Sequence, residues 1–135
     1  MNRTLKISAD VEETARKAVD ALFHLHCELG PGLLESIYAT CLEEELRYRG
    51  IPFAREVPLP VTYRNRHLDA GFRADCIVDG KVLLEFKAVE KLLPVHKAQV
   101  ITYLRLSNLS LGLLINFNVP LIKDGINRLF NSGLT

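Results

Sequence analysis

The stretch DCIVDGKVLLEFK, residues 75–87, constrains this chain more than any other. Two apolar runs flank Asp79-Gly80, a dipeptide suited to the positive φ angles of a tight hairpin turn. Side chains alternate between the two faces of a strand, so loop length decides which residues share a face. A two-residue Asp79-Gly80 loop pairs Val78 with Lys81 and Asp75 with Leu84, mixing polar and apolar side chains on both faces. A three-residue loop, Val78-Asp79-Gly80, puts glycine in the left-handed third position. It pairs Ile77 with Lys81, Asp75 with Leu83 and Arg73 with Glu85. One face then collects Phe72, Ala74, Cys76, Val78, Val82, Leu84, Phe86 and Ala88, all apolar. The other collects Arg73, Asp75, Ile77, Lys81, Leu83, Glu85 and Lys87. The hydrophobic pattern selects this loop. It predicts that Asp75, Glu85 and Lys87 share a face, with the carboxylates diagonal neighbours across the strands.

Such a face is either a solvated antiparallel sheet with cross-strand ion pairs, or it is covered. Covered carboxylates need a cation, from lysine or a metal. The rest of the chain favours cover, because helical patterns dominate its ends. Asp10-Val11-Glu12-Glu13 predicts a capping-box start, with Asp10 as N-cap, for a helix running to about Leu29. The break at Gly30-Pro31-Gly32 precedes a second helix from about Leu33 to Arg49, closed by Gly50. Its apolar stripe is Leu34, Ile37, Tyr38, Cys41, Leu42 and Leu46, and Glu35 falls within it in the first turn. Glu45 also falls in the stripe and is expected to make a structural salt bridge.

EVPLPVTY, HLDAGFRADCIV and KVLLEFKA read as strands. Pro94 opens a helix through about Leu106, LSLGLLINF reads as a buried strand, and KDGINRLF as a short closing helix. The order α-α-β-β-β-α-β-α predicts one α/β (α+β) domain over residues 1–135, a mixed sheet with helices packed on it. In the third helix Gln99 and Tyr103 are four apart and so stack on one face, with His96 a turn earlier.

The net charge is +1, so no global field points to a polyanionic partner, and the arginines at 64, 66 and 73 are at most a local patch. Three scattered cysteines, Cys27, Cys41 and Cys76, read as small buried hydrophobes rather than a disulfide framework. No apolar run reaches the ~20 residues of a membrane span, and MNRTLKISADVEE lacks the core of a secretory signal. A cytoplasmic setting is expected.

GLLESIY, residues 32–38, carries Gly32, Glu35 and Tyr38 in the spacing that names the GxxExxY protein family. That family is assigned to the PD-(D/E)XK nuclease-like superfamily. The chain resembles it from about residue 10 to 131, through ELGPGLLESIY, LEFKAVEKLLPVHKAQVITYLR and GLLINFNVPLIKDGI. Asp75 and Glu85-Phe86-Lys87 match the superfamily motif, with Ala74 where the motif has proline. Gln99 and Tyr103 resemble the Q-x-x-x-Y motif of some branches. The resemblance implies a restriction-endonuclease-like core, a central mixed β-sheet flanked by helices. It also implies hydrolysis of phosphodiester bonds in nucleic acid, most readily DNA, with Mg²⁺ or Mn²⁺. Asp75, Glu85, Lys87, Gln99 and Tyr103 would be catalytic. Glu35, Asp75, Glu85 and the Phe86 carbonyl would be metal ligands, and Tyr38, His96 and Lys97 would face substrate. Hard oxygen donors without thiol or imidazole at zinc spacing suit such ions.

Two alternatives stay open. One is a nucleic-acid- or protein-binding module that keeps the metal site without independent turnover. The other is a structural protein in which the carboxylates and lysine form an ion-pair network. A homodimer or larger complex, formed through an exposed strand or helix face, is compatible with either.

Overall fold

The computed structural model describes residues 6–69 and 71–132; Ala70, within one predicted strand run, lies outside them. Helix α1, Ala9–Leu29, starts two residues earlier than expected, with Ser8 rather than Asp10 at the N-cap. The capping box does not form: Ser8 Oγ donates to Asp10 Oδ1 at 2.6 Å, and Glu13 pairs with Arg16 at 2.6 Å instead. Helix α2, Glu35–Tyr48, ends as its glycine predicts. Gly50, at φ 69°, donates to the Arg47 carbonyl, and Ile51 N–H reaches back to the Leu46 carbonyl at 2.9 Å. Of the expected stripe, Tyr38, Leu42 and Leu46 are buried, but Leu34 and Ile37 at the first turn stay exposed. Glu45 makes the expected salt bridge, to Arg49 Nε at 2.6 Å.

The strands are β1 Phe53–Pro58, β2 Val61–Tyr63, β3 Arg66–Leu68, β4 Arg73–Val78, β5 Val82–Lys87, β6 Leu111–Asn116 and β7 Ile126–Phe130. Helix α3, Pro94–Ser107, connects β5 to β6. The main sheet has the order β1-β4-β5-β6-β7, antiparallel except for the parallel β5–β6 pair that the α3 crossover requires. The stretch EVPLPVTY divides at Leu59-Pro60, because proline cannot continue the ladder. Its second half becomes β2, which pairs only with β3 in a separate two-stranded hairpin.

KDGINRLF does not close the chain as a helix. A 3₁₀ turn, Ile122–Asp124, leads into β7, which pairs antiparallel with β6. Strand β6 is buried along its whole length, so its outer backbone groups need partners that only another strand can supply. Gly125 allows the approach: a Cβ there would come within 2.1 Å of the Asn116 carbonyl oxygen. Tertiary pairing overrides the local helical spacing.

The β4–β5 turn also differs in detail from the prediction. Asp79 and Gly80 both take positive φ, 50° and 64°, and Lys81 N–H donates to the Val78 carbonyl at 2.9 Å. Lys81 is then an extra residue before the ladder resumes at Val78–Val82, followed by Ile77–Leu83 and Cys76–Leu84. The register is displaced by two residues from the expected one. An even displacement preserves the faces but brings Asp75 level with Glu85 instead of diagonal to it.

Helices cover both faces of the sheet. On one, Leu22 of α1 and Tyr38 and Leu42 of α2 pack with Cys76, Val78, Leu84 and Phe86. On the other, Val100, Tyr103 and Leu104 of α3 pack with Leu83 and Leu114. Each fully buried leucine contributes about 1.5–3 kcal/mol relative to exposure. Phe72 and Ala74, expected beside Cys76, lie on the α3 side instead. Alternation breaks at Glu56, whose φ of 49° is left-handed within β1 at the level of Asp75. The three cysteines are free; Cys76 is buried as expected, whereas Cys27 is exposed. Among the described residues no helix is long and apolar enough to cross a membrane.

Candidate active site

Strands β4 and β5 part where their carboxylates begin. Beyond Cys76–Leu84 the side chains replace the backbone ladder: Asp75 N–H donates to Glu85 Oε1, and Phe86 N–H donates to Asp75 Oδ2, both at 2.8 Å. Each carboxylate thus accepts the bond that a facing carbonyl would otherwise have taken. This brace holds the two acids side by side in the fork, Asp75 half-buried and Glu85 only 4% exposed. A solvated sheet face would leave Glu85 in water, so the structure excludes that reading.

Two acids side by side, one of them buried, resist double ionisation. Glu85 is pushed up to about 8, first by burial and next by the Asp75 charge, while the Asp75 N–H and the Lys87 ammonium pull the other way. Lys87, two residues on, is half-buried at the mouth of the fork. Its strand end is fixed by Asn116, opposite it on β6, which is buried. Asn116 Oδ1 accepts from Val89 N–H at 3.1 Å, and its Nδ2 donates to the Val89 carbonyl at 2.9 Å.

Glu35, the first residue of α2, reaches the fork from one side. It lines a cavity of about 430 Å³ together with Leu34, Arg55, Glu56, Asp75 and Phe86. Glu35 is exposed, yet the cavity wall desolvates it enough to raise its pKa; Lys87 opposes that shift and Asp75 adds to it. Tyr38, expected to face substrate, is instead fully buried. Its hydroxyl donates to the Gly30 carbonyl at 2.5 Å and accepts from Leu33 N–H at 3.1 Å, while its ring stacks on Phe117 at 4.4 Å. Tyr38 clamps the Gly30–Leu33 loop and so positions Glu35. The Gly-x-x-Glu-x-x-Tyr spacing has a structural explanation: a turn, an acid and the lock that aims it.

Helix α3 approaches the fork from the other side. Gln99 Nε2 donates to Tyr103 Oη at 3.1 Å. The Tyr103 phenol is raised by burial and then by the negative charge of Glu85, with Asp75 adding to the shift and the Gln99 bond opposing it. His96 Nδ1 accepts from Leu93 N–H at 3.0 Å and so caps α3, leaving only Nε2 free to meet anything else. Lys97 is exposed beside it.

Two residues at this site escaped the sequence reading. Arg55 Nε donates to the Asp75 carbonyl at 2.8 Å, and its guanidinium lies 6.0 Å from the Phe86 ring centroid. Glu56 is the left-handed residue opposite Asp75. Neither has a local signature, and extending the first strand back to Phe53 is the only signal that would have pointed to Arg55.

Among the described residues no three His, Cys, Asp or Glu side chains converge closely enough to hold a metal ion by themselves. Asp75 and Glu85 stand together, and Glu35 lies across the cavity.

A mixed five-stranded sheet with helices on both faces, carrying Asp and Glu-x-Lys on adjacent strands that part at the acids, defines a restriction-endonuclease-like nuclease core. The chain matches the family model of the PD-(D/E)XK nuclease superfamily over residues 12–129, and it belongs to that superfamily. Its function is therefore of nuclease type. No curated protein and no solved structure matched it.

Proposed function

We propose that the fork is the active site of a Mg²⁺- or Mn²⁺-dependent phosphodiesterase acting on nucleic acid, DNA first among the candidates. The observation that carries this reading is the reciprocal brace between Asp75 and Glu85 with Lys87 beside it. A buried and a half-buried carboxylate with a single ammonium leave an excess of negative charge, which the elevated Glu85 pKa registers.

The donor set suits a hard divalent ion. The braces occupy Glu85 Oε1 and Asp75 Oδ2, so the second oxygen of each carboxylate takes no part in them. Phe86 N–H points toward β4, and strand geometry turns its carbonyl to the same edge, into the gap where β4 has parted. Asp75, Glu85 and the Phe86 carbonyl would hold the ion, with Glu35 completing the set through water or by closing across the cavity. Nucleases of this superfamily generally use divalent metals, and the ion would supply Lewis-acid polarisation of the scissile phosphodiester.

The chain's own groups do the rest. Lys87 orients the attacking water or neutralises charge developing on the phosphate. The Gln99–Tyr103 pair places a phosphate against the fork, with Lys97 and the free Nε2 of His96 at the substrate side.

The test is cleavage of single-stranded, duplex and flapped DNA and of RNA by the purified protein with Mg²⁺ or Mn²⁺. It is repeated with Asp75→Asn, Glu85→Gln and Lys87→Ala, each expected to lose on the order of 10²-fold or more in rate. Calorimetric titration with Mn²⁺ accompanies it. Metal binding that Asp75→Asn removes, without turnover on any of these substrates, would leave a binding module instead. No metal binding at all would remove both readings.

A further inference from the structure

The β2–β3 hairpin contributes nothing to either core, yet it is rooted at the fork. Its strands pair only with each other, and residues 62–69 are all exposed. Two-stranded ribbons without a packed face are marginal in water, so this one is held by its root. Leu59 is buried against α3, and its N–H donates to the Phe72 carbonyl at 2.8 Å. The Phe72 ring lies 6.0 Å from that of Tyr103, the phenol beside the carboxylates. The ribbon therefore projects from the same end of the sheet as Asp75 and Glu85.

Its charge is the second observation. Residues 61–73 carry three arginines and one aspartate, a formal +2, on a chain whose total is +1. Among the described arginines, Arg16, Arg47, Arg49, Arg55 and Arg128 each lie within 4 Å of a carboxylate. Arg64, Arg66 and Arg73 have no such partner; nor does Arg105 on α3. Arg64 instead lies over the Tyr63 ring, 5.7 Å from its centroid. Tyr63 is 64% exposed, an aromatic face left in water.

From these observations we infer that the β2–β3 ribbon is an arm that grips the phosphate backbone of a nucleic-acid duplex beside the cleaved bond. Arg64, Arg66 and Arg73 would supply the contacts. Unneutralised guanidiniums attract phosphates, and a two-stranded ribbon fits a duplex major groove. The inference rests on the nucleic-acid reading of the fork, and adds how a nearly neutral protein holds its substrate.

The test is the salt dependence of binding, measured by fluorescence anisotropy on a labelled duplex of about 30 base pairs with Ca²⁺ as the divalent ion. Each phosphate contact contributes about 0.9 to the slope of log affinity against log salt. Arg64→Asn with Arg66→Gln should lower that slope by about 2 and weaken binding by about tenfold near 0.1 M salt. Asparagine suits the left-handed backbone at position 64 (φ 49°), so misfolding would not explain the loss. Arg66→Lys keeps the point charge and should keep the slope. Lys17→Gln with Lys81→Gln, an equal charge loss at the turn end of the sheet, should leave the slope unchanged. A slope unaltered by the arm variants, or lowered equally by the distant pair, overturns the arm while leaving the fork's reading intact. Wild-type protein that does not bind the duplex overturns the arm, and the cleavage and Mn²⁺ assays above then judge the fork by themselves.

Discussion

On the proposed reading the chemistry turns on Glu85, a residue poorly placed for stability. It is an acid with an ordinary pKa of 4.5, held in the native fork at about 8 mainly by burial. Between these values the native metal-free protein keeps a proton that the unfolded chain has released. Its stability therefore falls as pH rises through that window. Glu85→Gln can keep the bond from Asp75 N–H without carrying the charge. It is expected to raise the thermal midpoint of the metal-free protein at pH 8 and above while abolishing cleavage, which a melt and a nuclease assay would check together. Metal binding needs Glu85 ionised, so Mn²⁺ affinity should rise with pH toward about 8 and then level. The rise should approach tenfold per pH unit if one proton is displaced. Calorimetry across pH reads this directly, and a flat profile would place the metal elsewhere.

At the scale of elements, the helix α2 start shows how a loop can aim a side chain. Tyr38 satisfies a carbonyl and an N–H of the Gly30–Leu33 loop with one hydroxyl. Tyr38→Phe leaves both without that partner and is expected to cost about 1–3 kcal/mol, seen as a lower midpoint in chemical denaturation. It should also reduce cleavage without touching substrate, because Glu35 follows the loop. The same scale explains the misread C-terminal segment. Ile122, Ile126 and Leu129 fit a helical spacing, which outweighs the turn signal of Asp124-Gly125 in the reading of KDGINRLF. The deciding fact is remote: an edge of β6 that must be paired, and a glycine that lets Asn116 come close.

For the whole molecule, the proposed metal site would couple metal binding to folding by mass action. The two braced segments come together only in the native sheet, so Mn²⁺ held there would bind the folded chain in preference to the unfolded one. At a concentration 100 times its dissociation constant, the ion should stabilise the protein by about 2.7 kcal/mol. Thermal melts across a Mn²⁺ series should therefore shift upward in the wild type and stay fixed in Asp75→Asn. Equal shifts in both proteins would mean the ion binds outside the fork.

How much of this was legible in the sequence depends on the distance over which each feature is decided. Periodicity and turn chemistry are local, so the helices, the Asp79-Gly80 turn, the Gly50 stop and the even register that puts Asp75 and Glu85 together could be read from neighbours in the chain. Asp75, Glu85 and Lys87 were recognisable because strand spacing carries their geometry. The brace itself was not legible, because it depends on an extra residue at the turn and on two strands parting. Nor was the burial of Tyr38, the turn-over at Glu56, the Arg55 bond to Asp75 or the edge strand β7. Each is settled by backbone groups far apart in sequence that must find partners once water is excluded, and only the folded chain brings them within reach of one another.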